Sequence, residues 1–327
     1  MADKPFMFNF LGWFSACILI LGPLLNGLMC LVFLKNRSML SKPEHILLLS
    51  MAVSDFLCCV VAIPTTMISS FQGKWMFGDT GCVTHAFAVT WFGIVSISHL
   101  AALAFYKYRS MKFQHSELMS NKKTWYLALA LWFYSLIFAF APMVGWSKYT
   151  TEGLGISCSV DWQTSDIKGA SYTISLFVGG FVLPVTIISF SYFKIYVEIR
   201  TMVEKAKLTW GKMSHLTKQT LKSERKMAVL FFVMIMLFLV AWTPYSVVSL
   251  ISASGRFSWI EPLAASAPAY LAKSSNLFNP VLYFLLFKRF RVKVLNLLGI
   301  TCLRRKTKTK YDFATKTREK EKIELKP

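Results

Sequence analysis

Apolar residues along this chain come in long unbroken blocks rather than in alternating runs or short amphipathic windows. Seven blocks, roughly 9–34, 45–70, 80–106, 124–146, 170–197, 227–252 and 262–287, reach the about 20 residues that a helix needs to cross a hydrocarbon core. Proline sits well inside several of them, at Pro23, Pro64, Pro142, Pro184, Pro244 and Pro280. Bundled membrane helices tolerate this, because their neighbours satisfy the backbone groups that proline frees. The pattern predicts an all-α membrane protein, a seven-transmembrane-helix bundle over 9–287. The first block runs on to full spanning length behind a short charged start, so no cleavable signal is expected.

Composition sharpens this. Hydrophobic residues make up 55% of the 327, aromatics 15% and charged residues only 16%, against about 25% charged in a soluble domain. A water-soluble globule and a disordered chain are both excluded by that balance. The net charge of +21 would suit a nucleic-acid partner if it formed one patch. It does not. The segments 35–44, 107–123, 194–226 and 288–327 hold 31 of the 37 Lys and Arg, whereas the opposite side has Lys4, Lys74, Lys148, Lys168 and Arg256. The basic side is cytoplasmic by the positive-inside rule, which puts residues 1–8 outside, most simply at the plasma membrane. No nucleic-acid partner is expected; membrane lipids are. The segment 288–301 reads as a short amphipathic cytoplasmic helix, and 302–327 as a basic disordered tail attracted to anionic headgroups, or carrying a motif for a specific partner.

Ionisable residues within a span are costly and face a cavity or a partner. Asp55 lies midway along the second block and Lys273 midway along the seventh, with Asn26, Asn276 and Asn279 adding uncharged polarity. Asp55 reads as the centre of a structural network with Asn26 and Asn279, with a water or a sodium ion as a further member. Lys273 is different. Burial opposes the charged form of an amine, and a desolvated amine condenses with an aldehyde to a Schiff base. With no acid in its own block, Lys273 is either paired across the bundle or covalently modified. Aromatic surface is available around it from Trp242 to Tyr245, from Phe177 and Phe181, and from Trp91 and Phe92 before Gly93; it serves packing or a ligand. No hydrolytic His/Asp/Ser set and no metal-ligand set can be assembled, so neither an enzyme of that kind nor a metal centre is expected.

Taken in order, the residues resemble rhodopsin-like G-protein-coupled receptors over almost all of 10–300. Asn26 matches the first-helix Asn, Asp55 the second-helix Asp and Trp132 the fourth-helix Trp; Pro184 with Tyr192 matches the fifth helix, Trp242-Thr243-Pro244 the sixth, and Asn279-Pro280-Val281-Leu282-Tyr283 the seventh. Lys273, six residues before Asn279, falls at the retinal-lysine position of opsins, and 145–162 is similar to the opsin second outer loop, nearest the neuropsin and peropsin branch. The resemblance implies 11-cis or all-trans retinal held as a Schiff base on Lys273, with His85, Gly93, Phe181, Trp242 and Tyr245 around it. It also implies a Cys82–Cys158 disulfide clamping the loop over the pocket. Cys17, Cys30, Cys58 and Cys59 read as small apolar residues. Cys302 is either palmitoylated or a free thiol.

A protonated Schiff base needs a carboxylate nearby. Where many visual opsins place it, three residues after the third-helix Cys, this chain has His85, which supplies no negative charge but sits close enough to tune the proton. The other opsin position, six residues before the loop Cys, is Glu152, the expected counterion; without one, the linkage would be neutral and absorb in the ultraviolet. At the cytoplasmic end the family's Asp/Glu-Arg-Tyr becomes Tyr106-Lys107-Tyr108. An ammonium lacks the planar fork of arginine, so a Lys107–Glu224 lock is weaker in geometry. The one glycosylation sequon, Asn36-Arg37-Ser38, is on the cytoplasmic side. Three functions follow: a light-activated receptor acting through a heterotrimeric G protein, a retinal photoisomerase, or a chemically gated receptor in which Lys273 pairs with an acidic ligand.

Overall fold

The computed structural model describes residues 3–112, 119–163, 166–210, 215–256 and 261–299. In chain order these form α1 (Asp3–Lys35), α2 (Pro43–Val61), α3 (Ile63–Gln72), α4 (Gly78–Lys112) and α5 (Asn121–Phe140). A hairpin of β1 (Tyr149–Glu152) and β2 (Ser157–Val160) follows, then α6 (Ile167–Phe177), α7 (Leu183–Trp210), α8 (His215–Ile251), α9 (Pro262–Ser274), α10 (Phe278–Leu286) and α11 (Lys288–Leu297). Residues up to Leu282 form one compact unit and those from Tyr283 a second.

Among the described residues, six helical stretches are long and apolar enough to cross a membrane: Pro5–Lys35, Pro43–Gln72, Gly78–Lys112, Asn121–Val144, Ile167–Glu204 and Arg225–Ser254. The seventh expected span is present in pieces, since a 3-10 turn at Ser275–Leu277 parts α9 from α10 and leaves each too short alone. The molecule is thus an all-α, multi-pass membrane protein with seven spans. The third helix runs to Lys112 rather than ending near 106, and the fourth passes at Phe140 into a 3-10 turn over Ala141–Val144.

Proline accounts for most of the breaks. A proline has no N–H and its ring crowds the carbonyl four residues back. The second span breaks at Ala62, just before Ile63-Pro64, and restarts as α3, which ends at Gly73 with φ +66°. That left-handed stop favours glycine. Ahead of Pro184 the fifth span widens into a π turn over Val178–Val182, which absorbs the missing donor. Side chains cap two helix starts: Ser120 accepts from the Lys123 N–H at 3.4 Å, and Asp166 accepts from the Gly169 N–H at 3.1 Å.

Helix α4 is the centre of the first unit, packing against α2, α5, α7 and α8. Its side chains are buried almost continuously from Ile94 to Ala104. The outer helices instead expose Trp13, Phe133, Phe193 and Val240, the apolar outer surface that lipid requires. In the second unit, α11 is shorter than the expected 288–301; Phe290 and Val294 are buried one turn apart on it. There the Tyr283 ring stacks on Phe287 at 4.6 Å and meets Phe290 edge-on at 4.8 Å. Cys302 and the tail 302–327 lie outside the described residues.

Candidate functional site

The hairpin forms a cover fixed on two sides. Its strands pair antiparallel with Thr151 opposite Cys158 and Glu152 opposite Ser157. The Cys82–Cys158 disulfide is formed and ties β2 to the start of α4. The turn is tied to α9, where Ser266 Oγ accepts from the Leu154 N–H at 2.8 Å. Gly153, at φ +54°, sits so close to Ser266 that a Cβ there would collide with it. All of β2 is buried. Burial also pushes the Tyr149 phenol above its ordinary range, so it stays a neutral donor to the Ala139 carbonyl at 2.7 Å.

Beneath the hairpin lies a cavity of about 120 Å³. Six of the seven expected cofactor-binding residues line it: Gly93, Glu152, Phe181, Trp242, Tyr245 and Lys273. The seventh, His85, stands behind it. Lys273 is only 5% exposed. Its amine donates to Ser157 Oγ at 3.0 Å and lies 5.3 Å from the centre of the Tyr270 ring, whose face attracts a cation. Glu152 does not bond the amine. Its Oε2 accepts from the Tyr245 hydroxyl at 3.3 Å, and that hydroxyl accepts from Trp162 Nε1–H at 3.2 Å. Ser157 and Trp162 were not among the expected site residues.

The cavity floor is Trp242. Its Nε1–H donates to Ser275 Oγ at 3.0 Å, on the 3-10 turn that interrupts the seventh span. Phe238 stacks on its other side at 5.5 Å. Gly93 gives it room: a Cβ there would be 2.7 Å from the indole edge. Phe177 joins Phe181 in the lining, whereas Trp91 and Phe92 pack on Trp132 and belong to the core.

Deeper in the bundle, Asp55 is 1% exposed and takes hydrogen bonds from Ser96 Oγ at 2.6 Å and Asn279 Nδ2 at 3.0 Å. The Asn279 bond is as expected. Asn26 is not part of this network; it donates to the carbonyls of Gly22 at 3.0 Å and Asn276 at 2.8 Å. Proline explains the difference, because Pro280 denies the Asn276 carbonyl its helical donor and the Asn26 amide replaces it.

Near the other end of α4, Lys107 is buried between Tyr106 and Tyr108. Tyr192, on α7, donates its hydroxyl to the Ala228 carbonyl of α8 at 3.1 Å. The side chain of Glu224, the expected partner of Lys107, lies outside the described residues.

The sequence profile of the 7 transmembrane receptor (rhodopsin family) matches residues 25–283. Melanopsin-B of Xenopus laevis is 33% identical over 298 residues, covering 90% of this chain and 55% of that protein. Rat melanopsin is 36% identical over 279 residues, covering 84% and 58%. The chain thus spans little more than half the length of these relatives. The crystal structure of squid rhodopsin superposes with a TM-score of 0.83 at 28% identity, covering 91% of this chain and 87% of that one. These relatives are melanopsins, whereas the expectation from the second outer loop was the neuropsin and peropsin branch.

Proposed function

The chain belongs to the rhodopsin family of seven-transmembrane receptors, and from that membership we propose that it is a light-sensing opsin that binds retinal on Lys273 and signals to a heterotrimeric G protein. One observation carries the reading. A buried lysine lines an apolar, aromatic-walled cavity and, among the described residues, has a neutral serine as its only hydrogen-bond acceptor. A structural ion pair would have set a carboxylate against the amine, whereas Glu152 shares the cavity but bonds Tyr245 instead.

Retinal, joined through its aldehyde to that amine as a Schiff base, supplies light absorption and a change of shape. The protein's own residues do the rest. Glu152, held by Tyr245, is the counterion. Phe181, Gly93 and Trp242 set the width of the slot, and the disulfide-held hairpin excludes water. Trp242 bridges to Ser275, so a push on the indole acts on both the sixth and seventh spans. Pro244 then provides the bend about which α8 tilts, one bistable element biased by a ligand. Asp55, Ser96 and Asn279 couple the second, third and seventh spans behind it.

The same reading orients the molecule in the plasma membrane with residues 1–8 outside and the segments around Lys107, Glu224 and 288–327 in the cytoplasm. Cys302 is then placed for a lipid anchor beyond α11. The test is nucleotide exchange on a panel of purified G proteins, in light and darkness, with the protein loaded with 11-cis or all-trans retinal. Light-dependent exchange is expected on at least one. Isomer conversion and release without exchange would make it a photoisomerase, and failure to take up retinal would make it a chemically gated receptor.

A further inference from the structure

His85 occupies the position where a carboxylate would face the linkage directly, yet it reaches Lys273 only through a serine. Its partners fix which nitrogen carries the proton. Nδ1 lies 3.1 Å from the Ala62 carbonyl, which can only accept, so Nδ1 bears hydrogen. Thr65 Oγ1, 2.8 Å from the same nitrogen, spends its own hydrogen on that carbonyl at 2.7 Å and is a second acceptor. In the neutral ring Nε2 is therefore the bare nitrogen, and it lies 3.3 Å from Ser157 Oγ. Ser157 in turn accepts from the Lys273 amine. The donors all run one way, from Lys273 Nζ through Ser157 Oγ to His85 Nε2.

We propose that His85 is the acceptor of the proton on Lys273 Nζ, reached through Ser157; this rests on the reading that Lys273 carries retinal. The Nζ–H bond breaks as Ser157 Oγ–H forms, and the hydrogen already on Oγ passes to Nε2. The nitrogen of the linkage becomes neutral and the imidazole becomes a cation, with no other reactant needed. The groups facing this chain are the Tyr270 ring under Nζ, Glu152 across the hairpin from Ser157, Thr65 on α3 and the Trp75 ring 5.5 Å from the imidazole. None of the partners of His85 is a carboxylate. His85 is 1% exposed, so the proton goes no further and returns by the same route.

Two measurements test this. The first uses retinal-free protein labelled with 15N-histidine. One histidine, identified by its loss in His85→Gln, should show a protonated Nδ1 and a bare Nε2 whose resonance moves in Ser157→Ala. A protonated Nε2 there would overturn the proposal. The second follows loss of the Nζ proton after a flash, as the visible band converts to a near-ultraviolet one, with a pH-indicator dye present. His85→Gln and Ser157→Ala should slow the conversion by roughly a hundredfold, the low end of what a positioned proton acceptor contributes. Ser157→Thr, which keeps the hydroxyl, should stay close to wild type, and the dye should record no released proton. Conversion at the wild-type rate in both variants, or proton release in step with it, would overturn the relay while leaving the retinal reading intact. Absence of any retinal-dependent band in the wild type would remove both.

Discussion

Asn26 donates its side-chain amide to the main-chain carbonyl of Asn276 at 2.8 Å, filling the place of the N–H that Pro280 lacks. This ties the first span to the break in the seventh. Asn26→Ala should cost about 1–3 kcal/mol, the range for leaving a buried acceptor without a donor. Pro280→Ala restores a backbone N–H, so the double variant should lose less than the two single losses combined. Thermal unfolding of the four proteins in one detergent decides it; strict additivity would show that the two residues are unrelated.

Glu152 stands in the cavity with Lys273 but bonds Tyr245. As counterion it acts across the pocket by its charge. Glu152→Gln should move most of the visible band of the retinal-loaded protein into the near ultraviolet at neutral pH, while Tyr245→Phe, which keeps the charge, should shift the band only slightly. An unchanged visible band in Glu152→Gln would remove the carboxylate from this role.

The contact between Gly93 and Trp242 leaves no room for a methyl group. Gly93→Ala should cost about 1–3 kcal/mol, the usual penalty of overpacking, and should loosen the Trp242–Ser275 bond. Raised nucleotide exchange in darkness would accompany the lower melting temperature. Adding Trp242→Phe should recover part of the stability. A Gly93→Ala protein as stable and as silent in darkness as wild type would contradict the close fit.

Much of this was legible along the chain because of cost. A charge inside a span is expensive, so Asp55 and Lys273 stood out, and the long apolar blocks announced a bundle of membrane-spanning helices. Ser157, Ser96 and Ser275 did not stand out, although they bond Lys273, Asp55 and Trp242. Serine is cheap in a membrane helix or a hairpin, and only three-dimensional neighbours separate these from the rest. The one signal for Ser157 was its place beside Cys158. Asn26 was assigned to Asp55 on polarity alone; the carbonyl freed four residues before Pro280 was the stronger claim on its amide. The split of the seventh span was invisible to hydropathy, which sees one apolar block on both sides of the turn.

Lys107 takes the place of the family's arginine and is buried in the bundle. An arginine there presents the planar donor fork that an ammonium lacks. Lys107→Arg should therefore raise light-dependent nucleotide exchange several-fold without moving the absorption band. No change, or a fall, would mean that this chain couples through contacts of another kind.

The most direct measurement is an absorption spectrum of the purified protein, regenerated in darkness with 11-cis and separately with all-trans retinal, beside the Lys273→Ala variant. A visible band that shifts on illumination, survives acid denaturation as a covalent adduct and is absent from Lys273→Ala is the expected result. A near-ultraviolet band that also needs Lys273 would keep the linkage and remove Glu152 as its counterion. Well-folded protein that forms no retinal-dependent band with either isomer, or a band that persists in Lys273→Ala, would contradict retinal attachment at Lys273.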